Sequence, residues 1–197
     1  MSVVFSPNIP QLQRDSQMTA VFNQRSPSAS APLIVAAVMP AASPPPANSS
    51  PPPALIVRAR DAVIVDGDGE VSALDLAAAA ALARRTPPVV CHARATARRL
   101  GCETFSAYDV LELFAFVHPA RFCSPTPMGL ARALGLPEPE GAEAQALTLH
   151  RVAWRLLADI AAPGRAEASD PVAIAWEMGR GGWLWAGPVL NALDRPA

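Results

Sequence analysis

The chain has 197 residues, 16 basic and 17 acidic side chains and a net charge of -1. This balance excludes a globally basic nucleic-acid binder and a polybasic membrane-surface protein. No apolar run reaches the ~18 residues that a membrane-spanning helix needs.

Residues 1–53 are rich in Ser, Pro, Asn and Gln, and the run PAASPPPANSSPPP (40–53) has no hydrophobic periodicity. Such a segment buries too little apolar surface to fold, so 1–53 reads as disordered. Within it, APLIVAAVMPAAS (31–43) has a signal-like apolar core, but it lies far from the start, lacks a compact basic region before it and is broken by Pro40. Met18 is an alternative start. A folded domain is expected over 54–162. LIVRARDAVIV (55–65) has strand-forming residues at both ends, DGDG (66–69) is a turn signal, and EVSAL (70–74) reads as the returning strand of a hairpin. LDLAAAAALARR (74–85) has high helix propensity and stops at Pro87-Pro88. VVC (89–91) reads as a short buried strand, and ARATARRLG (93–101) as a helix ended by Gly101.

Ser106 to Asp109 has the S-x-x-D form of a capping box, opening a helix over YDVLELFAFVHP that is apolar on most sides. Thr126-Pro127 caps a short helix, MGLARAL, which Gly135 ends. Leu149, Val152, Ala153, Leu156, Leu157 and Ile160 give one apolar face to a long helix over about 143–160. Residues 163–197 read as a helical extension: Ser169-Asp170-Pro171 opens the helix VAIAWEM, Gly179 ends it, RGGWLWAG is a turn, and PVLNAL begins a last helix. The abrupt ending is what a fragment would show.

Several motifs invite chemistry. Aligning Gly69 with the glycine of a calcium-binding EF-hand loop puts Asp66, Asp68 and Asp75 at ligand positions, but Ile64 stands where the first carboxylate belongs and the flanking residues are strand-like. A hairpin turn is the preferred reading. Cys91 and His92 are neighbours, but adjacent strand residues point to opposite faces, and His118 and His150 stand alone, so no zinc site is expected. No phosphate-binding P-loop and no G-x-S-x-G nucleophile elbow occurs. The three cysteines (Cys91, Cys102, Cys123) have no paired spacing, so reduced thiols in the cytoplasm are expected. Arg84, Arg85, Arg94, Arg98 and Arg99 form a candidate basic patch, in which Arg94, Arg98 and Arg99 are the candidate nucleic-acid contacts; a solvated helix face is the commoner meaning of such a pattern. Trp176, Trp183 and Trp185 offer base stacking, or more commonly an interface anchor.

From Ala54 to about Ile160 the order of elements resembles the DEDD-type 3′–5′ exonuclease domain, with a ribonuclease H-like fold. VVCHARATARRLG is similar to that family's strand ending in His-Asn with an Asp a few residues on. YDVLELFAFVHP, TPMGLARALGLP and QALTLHRVAWRLL are similar to its later helices. Val89–Gly101, Val110–Cys123 and Ile174–Leu190 resemble, more closely, the N-terminal region of DinG-like (XPD-related) ATP-dependent DNA helicases of alphaproteobacterial type.

The resemblance implies an α/β fold: a reduced ribonuclease H-like or exonuclease-like domain, a short β-sheet flanked by helices, with a disordered N-terminal segment and a C-terminal helical extension. It also implies two divalent metals held by four carboxylates in an active member. Here AVIVDGDGE carries acids only after its strand, Thr96 and Ala97 stand where an Asp should follow His92, Ala144 stands where the last helix should have its His, and Leu149 where it should have its acid. Asp109 remains, at a position that caps a helix in that family. The chain therefore reads as a non-catalytic accessory domain, docking on helicase motor domains in the same polypeptide or guiding single-stranded DNA. It needs no cofactor of its own, ATP and Mg being expected only for the motor domains. The alternatives are an active exonuclease using Asp66, Asp68 or Glu70, with or without Asp109, as unorthodox ligands, and a truncated product without activity.

Overall fold

A computed structural model describes residues 50–162 and 170–194. Expectations for residues 1–49, and for the breaks around 163–169, lie outside the described residues. Ser50–Pro53 lie against the domain, contrary to the reading of a disordered segment up to residue 53. His150 Nε2 sits 2.8 Å from the carbonyl of Pro52, and the Val89 N–H donates to that of Pro53 at 2.7 Å.

Among the described residues, five strands form one open mixed sheet in the order β3-β2-β1-β4-β5. β1 (Ala54–Val57) turns through Arg58–Arg60 into β2 (Asp61–Val65), which pairs with it antiparallel. LIVRARDAVIV is thus two strands, its charged middle being the turn between them. β2 then pairs with β3 (Val71–Asp75) across the expected DGDG hairpin. Asp66 closes that turn by accepting from the N–H groups of Asp68 and Glu70, both at 2.9 Å. Gly67 is required there, because an added Cβ would lie 2.6 Å from the Pro51 carbonyl oxygen.

α1 (Leu76–Arg85) follows, capped by Asp75, and leads to β4 (Val89–Val90), parallel to β1. α2 (Ala93–Leu100) ends at Gly101, whose φ of 66° is the left-handed C-cap conformation that glycine adopts freely. β5 (Tyr108–Asp109) pairs parallel with β4 and was not expected from the sequence. It displaces the anticipated capping box: Ser106 is exposed, the helix starts at Val110, and Asp109 is its N-cap. The remaining helices are α3 (Val110–Val117), α4 (Pro127–Leu134), α5 (Gly141–Ala161), α6 (Pro171–Arg180) and α7 (Ala186–Leu193).

Strand alternation sorts the side chains into two cores. Leu55, Val57 and Val90 face α1 and α2, packing on Ala79, Ala80, Ala83 and Leu100. Ala54, Val65 and Val89 face α3, α4 and α5. The α5 stripe behaves as its periodicity requires, with Leu149, Val152, Ala153, Leu156 and Ile160 all buried. Ala175, Trp185 and Val189 belong to this same second core, so the residues after 170 pack into the domain and the core is continuous across the anticipated boundary at 162. Among the described residues no helix is long and apolar enough to cross a membrane.

Candidate functional site

The chain leaves β1 toward β2 and β3 on one side of the sheet and returns through β4 and β5 on the other. Between β1 and β4 the order reverses, and in open α/β sheets ligands settle outside the carboxyl ends of the strands at such a point. A crevice of about 240 Å³ lies there. β1 contributes Leu55 to Val57 with Arg58 just beyond, β4 leads into Cys91 and His92, α2 supplies Ala95, Thr96 and Arg99, and the first turns of α5 supply Ala142 and Gln145. Pro125, Thr126 and Pro127 complete the wall, and among the described residues no Asp or Glu lines it.

His92 is the N-cap of α2, its Nδ1 accepting from the Ala95 N–H at 3.5 Å, while the Thr96 hydroxyl donates to the His92 carbonyl at 2.9 Å. Behind it sits Asp109, 5% exposed. One Asp109 oxygen accepts from Ala93 N–H at 2.7 Å, and the other from Leu111 N–H at 3.0 Å and Glu112 N–H at 3.3 Å. The Asp109 carbonyl accepts from Trp185 Nε1 at 2.8 Å. One residue thus ties together the starts of α2 and α3 and the C-terminal helices. Burial pushes the Cys91 thiol up to about 12, with Asp109 and Cys123 adding to the shift and Arg99 opposing it. This thiol is no nucleophile at neutral pH.

The structure divides the anticipated Arg patch. Arg99 lines the crevice; Arg94 and Arg98 are exposed elsewhere on α2. Arg94 lies within electrostatic reach of Glu112, whose carboxyl is raised mainly by burial and then by Asp109, with His92, Trp183 and Arg94 pulling the other way. Trp183 Nε1 lies near that carboxylate but makes no hydrogen bond of normal geometry. The sequence reading missed Arg58. Its Nε and Nη2 edge is held by Asp61 in a two-point ion pair. A second hollow shares its lining with the crevice through Val57, Arg58 and Arg99. The signal that would have found Arg58 is a basic residue directly after an apolar strand.

The other candidates go elsewhere. Asp66, Asp68 and Glu70 stand at the opposite end of the sheet, since β2 runs antiparallel to β1 and Val65 pairs with Ala54. The anticipated first strand, AVIV, is β2; the strand bordering the crevice is β1. Leu149, taken as the position of a missing acid, is fully buried in the core, and Gln145, one turn earlier, is the α5 polar residue at the crevice. His118 meets Asp159 at 3.3 Å, and His150 holds Pro52. Trp185 is buried edge-on to Tyr108 at 5.0 Å, Trp183 packs on Phe116 at 5.0 Å, and Trp176 is exposed, so two of the three anchor the C-terminal helices. No group of three or more metal-ligating side chains occurs among the described residues. Comparison with family models, with curated proteins and with solved structures gives no match.

Proposed function

We propose that this chain is a non-catalytic, exonuclease-like accessory module of a DinG-like DNA helicase, which engages single-stranded DNA or docks on the motor domains. The sheet order supports the ribonuclease H-like reading: an antiparallel meander of three strands with two parallel strands added beyond β1. The observation that carries the non-catalytic reading is the chemistry of the crevice. In the family resembled, carboxylates from the first strand, from the helix after His-Asn and from the last helix hold two divalent cations. The crevice here offers Arg58, Thr96 and Gln145 from those elements and no carboxylate.

Hard divalent cations require oxygen donors with negative charge, and an arginine repels them. The residues present do not fit the metal pair. The acids of the exonuclease alternative do not converge: Asp66, Asp68 and Glu70 lie at the far end of the sheet, and both Asp109 oxygens accept backbone N–H groups.

The test is incubation of the purified chain with 3′-labelled single-stranded DNA and Mg²⁺ or Mn²⁺. The expected result is full-length DNA at all times. Shortening that disappears in the Asp66→Ala/Asp68→Ala variant would overturn the reading. The helicase context is tested by the genomic reading frame: a Walker A motif in frame after Ala197 supports it, and a stop codon followed by unrelated sequence removes it.

A further inference from the structure

We infer that the crevice between the ends of β1 and β4 is a phosphate-binding site, in which Arg99 and the free edge of Arg58 hold the anion beside Thr96 and Gln145. The inference deepens the DNA-engaging reading by naming the chemical group recognised, and it rests on that reading only for the source of the phosphate.

Arg99 has no hydrogen bond or ion pair among the described residues, and it shares the lining of two hollows with Arg58. Asp61 occupies Nε and Nη2 of Arg58, which offsets much of that charge but also fixes the guanidinium, leaving Nη1 unengaged. Two guanidinium groups at one hollow, of which only Arg58 is paired with a carboxylate, leave the Arg99 charge uncompensated. An oxyanion corrects that imbalance, and the planar fork of arginine matches phosphate geometry.

Neutral donors stand nearby. The Gln145 amide and the Thr126 hydroxyl border the same space, while the Thr96 hydroxyl is committed to the His92 carbonyl and lines the wall without donating to an anion. The start of α2 contributes no free pair of N–H groups, because Asp109 takes Ala93 and His92 takes Ala95. The 21-residue α5 enters at Ala142 with no side-chain cap, but Glu140 and Glu143 flank its start and offset its positive end, so the arginines set the field of the crevice. At about 240 Å³ the crevice falls below the ~300 Å³ at which ligand pockets usually begin. That volume has room for a phosphate group, and the adjoining hollow at Arg58 and Arg99 leaves space beside it.

The experiment uses the full chain and two probes: inorganic phosphate, followed by amide chemical shifts, and a fluorescein-labelled oligothymidylate, followed by anisotropy between 50 and 200 mM salt. The variants are Arg99→Gln, Arg99→Lys and, as a control, Arg94→Gln/Arg98→Gln, each checked for folding by circular dichroism. The expected result is oligonucleotide binding that weakens about 10-fold in Arg99→Gln, with a salt slope smaller by about 1, and is partly restored in Arg99→Lys. Phosphate should shift the Thr96 and Arg99 amides and compete with the strand. Phosphate binding at these amides without oligonucleotide binding keeps the site and removes the DNA-guiding role. Oligonucleotide binding that is lost in the Arg94/Arg98 control and unchanged in Arg99→Gln overturns the site and keeps DNA engagement. Binding of neither probe overturns both.

Discussion

The two ends of the sheet carry opposite chemistry. At the carboxyl ends of β1 and β4 lie two arginines, a histidine and neutral donors with no lining acid; at the other end lies the acidic turn of Asp66, Asp68 and Glu70. A nuclease that places metals at strand ends needs free acids at the first end; there Asp61 is paired with Arg58, Asp75 caps α1 and Asp109 is buried on backbone N–H groups, while the acids of the exposed turn stand at the second. The carboxylates also differ in work. Asp66 closes an exposed turn, whereas Asp109, beneath the crevice, is buried and accepts three backbone N–H groups that no other side chain serves. Asp109 is thus a fastener of the fold.

The largest expected effect follows from that. Asp109→Ala leaves the first N–H groups of α2 and α3 without their carboxylate in a buried place, and it should cost about 3–5 kcal/mol in urea unfolding. Asp109→Asn retains part of the cap and should cost less. If Asp109→Ala loses under 1 kcal/mol, the two ends differ in exposure alone, and the fastener role is wrong.

Cys91 gives the second effect, through pH. Its folded-state pKa is raised to about 12 from an ordinary value of 9.0, so the thiol stays protonated in the folded chain while the unfolded chain ionises. The unfolded state then binds fewer protons, and stability falls as pH rises, by about 1.4 kcal/mol per unit between 9 and 12. Below pH 9 this contribution is fully present. Comparing unfolding of Cys91→Ala and the parent chain from pH 8 to 10.5 checks it: the parent should lose stability across that window, and the variant should lose less.

Much of the fold was legible because its signals are local. The DGDG turn, the Thr126-Pro127 start and Gly135 end of α4, and the α5 stripe each rest on residues within one or two turns of each other. What was not legible depends on pairing between distant segments. Tyr108-Asp109 becomes a strand only because Val89-Val90 lies beside it, and the same Asp109 that completes an S-x-x-D pattern is itself the cap. The site divides in the same way. Arg99 was visible as part of an Arg-rich helix, but its separation from Arg94 and Arg98 is a matter of which helix face meets β1. Arg58 entered the site through the parallel neighbourhood of β1 and β4, and Gln145 through the start of α5.

Trp185 offers a third measurement. Its indole N–H donates to the Asp109 carbonyl from a buried position, joining the C-terminal helices to the crevice end. Trp185→Phe keeps an aromatic ring against Tyr108 and removes the donor, so about 1–2 kcal/mol should be lost. In the Asp109→Ala background the loss should be smaller, since the backbone it braces is already loosened. Equal losses in both backgrounds would make the two residues independent.

The smallest effect belongs to the acidic end. Asp66 makes its two turn hydrogen bonds in exposed surroundings, where water replaces a lost acceptor cheaply. Asp66→Ala should therefore cost about 0.5–1 kcal/mol. It should also leave phosphate affinity unchanged, because β2 places residue 66 at the end of the sheet remote from Arg58 and Arg99. Titrating this variant with inorganic phosphate, beside Arg99→Gln, compares the two ends directly. A shift in affinity from Asp66→Ala that matches the shift from Arg99→Gln would mean that phosphate responds to the overall field of the domain, and the contrast between the two ends would lose its functional meaning.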